Sequence, residues 1–402
     1  MAFQDLCILV LCIFAASWVY FSIFHNSRTP RTVRDLQQCR EILKASTLSS
    51  RAAPNQRLVE VFNINNALTT TNWVYHDYWV REIRVRLNTQ DEEWNTLATF
   101  ASSNLCRTLL LNQVQGENER SVNLAQLVQS LVFRIVLQKF FHKVPQPGEV
   151  DVQFITSRIN SLWLATKHHT SQSDANILDL KMELEGRLRT IFELPPTGKI
   201  AGKDNPLNTI IPAYESLWRV VLRCFLEVHF KENATTDQID YARIFSRFMA
   251  HPNTSVFEAP FQDTDISIKH IVNESLRLYP PTRRIHRQLK DEVVKIDVEW
   301  LHRDPLSWGP DAQEFRPQRW EGVLKKDVKA KMAFLPFGLG ELSCPARNFA
   351  PMLIGVLVGS LMGGVGEGWV LVGEGSDDVL EAKVLDGGRE AYAGLRLRKS
   401  EV

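Results

Sequence analysis

Phe337-Gly338-Leu339-Gly340-Glu341-Leu342-Ser343-Cys344-Pro345-Ala346 is the stretch on which the fold turns. Gly338 and Gly340 let the backbone approach a flat ligand closely and fold over a sulfur. Cys344 comes after them and stands just before an apolar helix predicted over Ala346–Leu361. Amide N–H groups and the positive end of a helix dipole favour a thiolate there, which is the form that binds metal. Alone, the loop reads equally well as a Gly-rich turn around a buried structural cysteine. It is not the GxGxxG of a dinucleotide site.

Three other segments bear on that choice. Glu274-Ser275-Leu276-Arg277 places an acid and a base on one helix face, in a helix predicted over Ile266–Tyr279 and stopped by Pro280-Pro281. Most such pairs are solvated and worth under about 1 kcal/mol. Arg319, in Phe315-Arg316-Pro317-Gln318-Arg319-Trp320, is a third group available to complete a buried network. Upstream, Leu207–Phe230 carries a broad apolar stripe, as expected of a helix through the interior. Within it, Pro212-Ala213-Tyr214-Glu215-Ser216 puts a carboxylate beside a hydroxyl. Such a pair on an apolar helix needs a task or a partner. Proton relay is one task, and pairing of Glu215 with Arg219 at i, i+4 is the other reading.

The rest of the chain narrows the class. Its 402 residues carry a formal net charge of +1, which excludes a nucleic-acid footprint. The six cysteines form neither a CxxC pair nor zinc spacing. Leu6–Phe24 is almost wholly apolar and is succeeded by Arg28, Arg31 and Arg34. About 20 such residues span a bilayer core, and the flanking arginines place the downstream chain in the cytoplasm. A cleaved signal peptide is the rival reading, but it wants a basic residue before the apolar run and a small-residue cleavage site, so residues 1–25 are expected to be an N-terminal membrane anchor and 26–402 a mainly helical domain. The alternating tail, Gly368–Leu397, reads as short strands and supplies a minor β component. The sequons at Asn233, Asn253 and Asn273 are chance matches if that domain is cytoplasmic.

Taken in order, the acid–alcohol helix, the ExxR pair, the PxRW loop and the Phe-Gly-x-Gly-x-x-x-Cys-x-Ala loop resemble the cytochrome P450 family of haem-thiolate monooxygenases. The resemblance runs from about Leu58 to the C-terminus and is firmest over Asn205–Leu361. It implies the cytochrome P450 fold, mainly α with a minor β component, preceded by one transmembrane helix. It further implies haem b with Cys344 as the axial iron ligand and Phe337, Gly338 and Gly340 against the cofactor. Glu274, Arg277 and Arg319 become a structural triad. Ser216 takes the place of the oxygen-activating threonine with Glu215 beside it, and His76, with Arg81 nearby, is a propionate contact.

The partners implied are an NADPH-cytochrome reductase, dioxygen and a hydrophobic small-molecule substrate. The location implied is the endoplasmic reticulum membrane, single-pass, as in fungal members that make secondary metabolites. Leu342 departs from the family, which usually has an arginine there for a haem propionate, and Ser216 is shorter by a methyl than threonine. Two rival readings remain: a haem protein of this fold that rearranges or dehydrates, and a haem-poor membrane-tethered scaffold.

Overall fold

A helix with apolar residues on every side can only be stable inside other helices, and Leu207–His229 is built that way. Leu207, Ile210, Ile211, Tyr214, Leu217, Trp218, Val221, Leu222 and Phe225 are buried, and so are Val220, Cys224 and Leu226 between them. The computed structural model describes residues 30–114, 121–165, 171–231, 240–261, 264–325, 327–366, 368–381 and 384–400. The expected anchor, 1–25, and Asn233 lie outside the described residues. Among the described residues no helix is long and apolar enough to cross a membrane.

The chain begins with β1 (Arg31–Val33) and the short helices α1 (Leu36–Lys44), α2 (Leu48–Ala52) and α3 (Gln56–Phe62). Next come α4 (Trp73–Leu87) and α5 (Asp91–Val114), then β2 (Ser121–Asn123), α6 (Leu124–Phe140), α7 (Glu149–Ala165) and α8 (Ser171–Ile191). The interior helix is α9 (Leu207–His229), succeeded by α10 (Tyr241–Ala250), α11 (Thr254–Glu258) and α12 (Ile268–Leu278). A hairpin of β3 (Arg284–Leu289) and β4 (Glu292–Asp297) leads to α13 (Val298–Arg303), α14 (Pro305–Trp308), α15 (Arg319–Lys325) and α16 (Val328–Ala333). The 337–344 loop and a single 3₁₀ turn, Pro345–Asn348, precede α17 (Ala350–Val365). The tail holds β5 (Trp369–Gly373), α18 (Ser376–Glu381) and β6 (Leu395–Lys399).

Two small sheets flank the helices. β4 pairs in parallel with β1, Ile296 opposite Val33, and antiparallel with β3, Ile296 opposite Ile285. β6 pairs antiparallel with β2 and β5, Leu397 facing Val122 and Leu371. The tail is therefore two strands with a short helix between them, where its alternation reads as strands alone. Turn residues break that alternation, and Ser376-Asp377-Asp378 favours a helix start, acidic residues suiting the positive end of the dipole.

α9 packs on α6 and on α17, so that the segment carrying Cys344 rests against the most apolar helices of the domain. Pro212 sits one turn inside α9, on its exposed side, where one missing amide costs little. α17 begins at Ala350, later than the Ala346 expected, because Pro345 and the 3₁₀ turn come first. Asn273 is buried in α12, and the Asn253 side chain caps α11 by accepting from the Val256 amide.

Candidate active site: a cysteine loop, a buried triad and an acid held by arginine

Glu274 and Arg277 sit on α12 with fully buried side chains. Arg277 donates bidentately to the carboxylate, Nε to Oε2 at 2.9 Å and Nη2 to Oε1 at 2.8 Å. Its remaining N–H groups reach the carbonyls of His302 at 2.7 Å, Ala312 at 2.5 Å and Glu314 at 3.1 Å. Arg319 donates from Nε to Glu274 Oε1 at 2.8 Å, and the Trp320 indole N–H donates to Oε2 at 2.9 Å. The Arg316 amide adds a further bond to Oε1 at 2.9 Å. Burial pushes the Glu274 carboxyl up, but Arg277, Arg319 and the Arg316 amide outweigh it and hold it below the ordinary carboxylate range. The network ties α12 to the 302–320 segment, which leads through α15 and α16 to the cysteine loop.

His302 makes the second tie. Leu335 N donates to its Nε2 at 2.8 Å, which leaves Nδ1 as the donor to the Arg277 carbonyl at 3.0 Å. Burial pushes its pKa down to about 3. The unfolded chain binds this proton near pH 6.5 and the folded chain does not, so the stability it confers is complete above that pH. It is lost as pH falls from 6.5 toward 3, at about 1.4 kcal/mol per unit. Urea midpoints measured between pH 7 and pH 5 should fall accordingly, and in His302→Gln the slope over that window should flatten.

The 337–344 loop closes on itself. Cys344 N donates to the Phe337 carbonyl at 2.8 Å, Gly338 N to Leu335 O at 3.1 Å and Ser343 N to Gly340 O at 3.2 Å. Gly338 and Gly340 have φ of 69° and 77°, the left-handed region. A Cβ on Gly340 would lie 3.3 Å from the backbone of Leu43 and Lys44, whereas one on Gly338 meets only Ile285 Cδ1 at 3.9 Å. Gly338→Ala should therefore cost about 1–2 kcal/mol of conformational strain. Gly340→Ala should cost more and shift the loop off α1, read as a lower melting temperature and less bound cofactor than in Gly338→Ala.

Cys344 is accessible to solvent yet deeply surrounded by protein, the combination expected of a side chain facing an internal hollow. Cys39 and Cys224, by contrast, are closed in, and burial pushes their thiols up to about 12. Burial also raises the Cys344 thiol, while the Ala346 amide and the Arg347 charge oppose it. The sequence favours a thiolate held by a helix dipole; a 3₁₀ turn of four residues supplies less dipole than an α-helix. A cation bound opposite the sulfur would favour the thiolate further.

Leu342 is buried and apolar. Two arginines that sequence reasoning missed come from β3, whose Ile285 lies by Gly338, and from α2, which packs on β3. Arg287 of β3 donates to Ser46 Oγ at 2.9 Å and to the His286 carbonyl at 2.8 Å. Arg51 of α2 donates to the Ala67 carbonyl, and its Nε has no partner among the described residues. Both are buried, neither meets a carboxylate among the described residues, and burial lowers each pKa to about 10, Arg287 further through Arg51. Buried cations without counter-charge are costly, so this corner suits a ligand with anionic groups. Haem b, with two propionates, fits the accessible sulfur and the orphaned Arg51 Nε together. No sequence motif marks these two residues, because only the packing of α2 on β3 brings them together.

α4 packs against the 345–348 turn and points His76 inward, with Nδ1 3.0 Å from the exposed Asp77 carboxylate and the ring edge-on to Trp73. Arg81 on the same helix is exposed. Glu215 departs from the pairing considered for it. Its carboxylate accepts from Arg389 Nη2, while Arg219 Nε donates instead to the Glu215 backbone carbonyl at 3.0 Å. Glu215 Oε1 has no partner among the described residues. Ser216 Oγ donates back to the Pro212 carbonyl at 3.2 Å. The acid and the alcohol are thus neighbours, each engaged elsewhere.

Comparison with known proteins agrees with this geometry. Residues 268–363 match the family model for cytochrome P450. Cytochrome P450 714A2 of Arabidopsis thaliana is 35% identical over 104 residues, 23% of this chain and 20% of that protein. Echinocystic acid 23-monooxygenase of Saponaria officinalis is 41% identical over 93 residues, 20% of this chain and 18% of that protein. The matched stretch thus spans about a fifth of the length of these curated relatives, which are plant proteins. A 6-coordinated cytochrome P450 from Thermus thermophilus superposes with a TM-score of 0.59 at 13% identity, over 92% of both chains. A cytochrome P450DA haem-domain mutant gives 0.56 at 14%, over 92% of this chain and 86% of that one. The described residues thus have the fold of the solved cytochromes P450, and the segment 268–363, which carries the buried triad's Glu274, Arg277 and Arg319 and the cysteine loop, matches that family's model.

Proposed function

We propose that the chain is a haem-thiolate monooxygenase that inserts one oxygen atom from dioxygen into an apolar small-molecule substrate. The observation that carries this reading is Cys344, accessible yet deep-set, at the end of a loop closed by its own amide on Phe337. Cys344 would hold the haem iron, Arg51 and Arg287 its carboxylates, and His76 would face it from α4. Haem bound there supplies an iron centre able to activate dioxygen. The protein's part is to keep the sulfur oriented, through the loop and the Glu274 network, and to deliver protons from Ser216 and Glu215 once these leave Pro212 and Arg389.

Electrons would come from an NADPH-cytochrome reductase. Residues 1–25 would tether the domain to the endoplasmic reticulum membrane, facing the cytoplasm. The secondary-metabolite assignment belongs to the same proposal. One relative is named as a monooxygenase, which supports the reaction class.

A second reading has one observation in its favour. Because Glu215 is engaged by Arg389 and Ser216 by Pro212, a rearrangement or dehydration that needs no proton relay to oxygen also fits. Incubation of the reductase-supplied enzyme under labelled dioxygen decides between them. Label in the product supports oxygen insertion, and an unlabelled product favours the second reading. A reduced, carbon-monoxide-treated preparation with no haem absorbance would overturn both and leave the tethered scaffold.

A further inference from the structure

The partner of Glu215 has surroundings that the monooxygenase reading does not explain. Arg389 lies in the loop before β6, and its side chain is almost fully buried. It donates to Glu215, and its Nη1 donates to Asn160 Oδ1 on α7 at 3.0 Å. Its guanidinium also rests on the Trp163 ring, 5.0 Å from the centroid. Arg57 of α3, an exposed residue, reaches the same ring, 5.5 Å from its centroid, and its guanidinium meets no carboxylate among the described residues. Arg219 stands close by and, among the described residues, donates only to the carbonyls of Glu215 and Pro281. Three arginines therefore gather here, of which Arg389 alone bonds the Glu215 carboxylate.

Like charges of this kind repel, and Arg57 is destabilised by burial and then by Arg389. Stacking on an indole offsets about 0.5–2 kcal/mol and holds the planar forks in place. It does not supply the missing negative charge. Arginine forks match carboxylate geometry, two N–H groups to two oxygens. In this structure Glu215 holds one nitrogen of the Arg389 fork and Asn160 the other, so the chemistry that can compete for the place of Glu215 is that of another carboxylate.

We propose that Arg57 and Arg389, gathered on Trp163 beside Asn160, bind the carboxylate of an otherwise apolar substrate, which displaces Glu215 from Arg389. The proposal rests on the reading of this domain as a small-molecule oxidase and names its substrate class. Displacement ties two events together. Only with an acidic substrate in place is Glu215 freed to act beside Ser216. The α3 residue Arg57, the α7 residues Asn160 and Trp163 and the tail residue Arg389 are distant in sequence and form one recognition site.

The test is equilibrium dialysis of the full chain in mild detergent against radiolabelled decanoate and, separately, decan-1-ol of the same chain length. Decanoate is expected to bind at least about tenfold more tightly. Arg57→Gln should remove about a factor of ten from decanoate affinity and leave decan-1-ol unchanged. Asn160→Asp, which sets a competing carboxylate at Arg389, should do the same without touching Arg57. Equal affinity for acid and alcohol, or equal losses for both in Arg57→Gln, overturns the clamp.

Haem content is read in parallel. An unchanged haem-to-protein ratio in Arg57→Gln is expected. A loss of haem would assign Arg57 to the haem carboxylates and overturn the substrate clamp. Absence of a thiolate-type carbon monoxide spectrum in the parent protein counts against the monooxygenase reading, while the dialysis still decides the clamp on its own.

Discussion

Glu274→Gln should lower the stability of the domain by about 3–5 kcal/mol, the cost of breaking a buried ion pair. The substitution keeps the shape of the side chain and removes its charge. It leaves Arg277 fully buried and Arg319 nearly so, both without their shared counter-ion. The amide would also set an N–H against at least one of the donors that now point at Oε1 and Oε2 from Arg277, Arg319, Trp320 and the Arg316 amide. Domains are stable by only about 5–15 kcal/mol, so this one change removes a large share of the margin.

The appropriate control is Glu258→Gln, whose partner Lys269 lies 2.8 Å away in a half-exposed pair and should cost no more than about 1 kcal/mol. Urea unfolding at pH 7 compares the two. If both midpoints shift equally, the network has no special role in stability. The same chemistry fixes a pH sign. The Glu274 pKa is depressed in the folded protein, so its contribution is complete above the unfolded value of about 4.3 and is lost as pH falls below it. Because His302 begins to lose its share nearer pH 6.5, acid should weaken the domain in two successive stages.

Cys344→Ala is expected to abolish turnover to background while leaving the fold intact. The side chain is accessible to solvent, so its loss leaves no closed core cavity of the kind that destabilises a protein. The Cys344 N–H that closes the loop on Phe337 belongs to the backbone and remains in alanine. What disappears is the sulfur. The reduced carbon monoxide spectrum should lose its thiolate character, and the urea midpoint should stay close to that of the parent. Cys224→Ala reverses the pattern, because that thiol is buried in the core of α9 and takes no part in the loop. It should lower stability and keep the spectrum. A Cys344→Ala protein that still turns over would remove the ligand assignment and with it the oxidative mechanism.

Much of this was readable from residues in a row. The interior helix was legible because an apolar stripe that broad has nowhere to go but the core, and Leu207–His229 lies there. The Glu274–Arg277 pair was legible because i, i+3 spacing on a helix brings side chains together whatever surrounds them. The cysteine loop was legible because glycine spacing is a local fact, while the helix behind it starts four residues later than its apolar run suggests.

Tertiary structure decided the rest. No periodicity could report that Glu215 meets Arg389, 174 positions away, in preference to Arg219 one turn along the same helix. Helical geometry makes the nearer pairing available, but Arg219 is drawn to the carbonyls of Glu215 and Pro281. Nor could it report that Arg51 and Arg287 stand together, which is a consequence of α2 packing on β3. Local rules govern which element a residue joins. Which charges share a cavity depends on how the elements stack, because Coulomb interactions act through space and ignore the order of the chain.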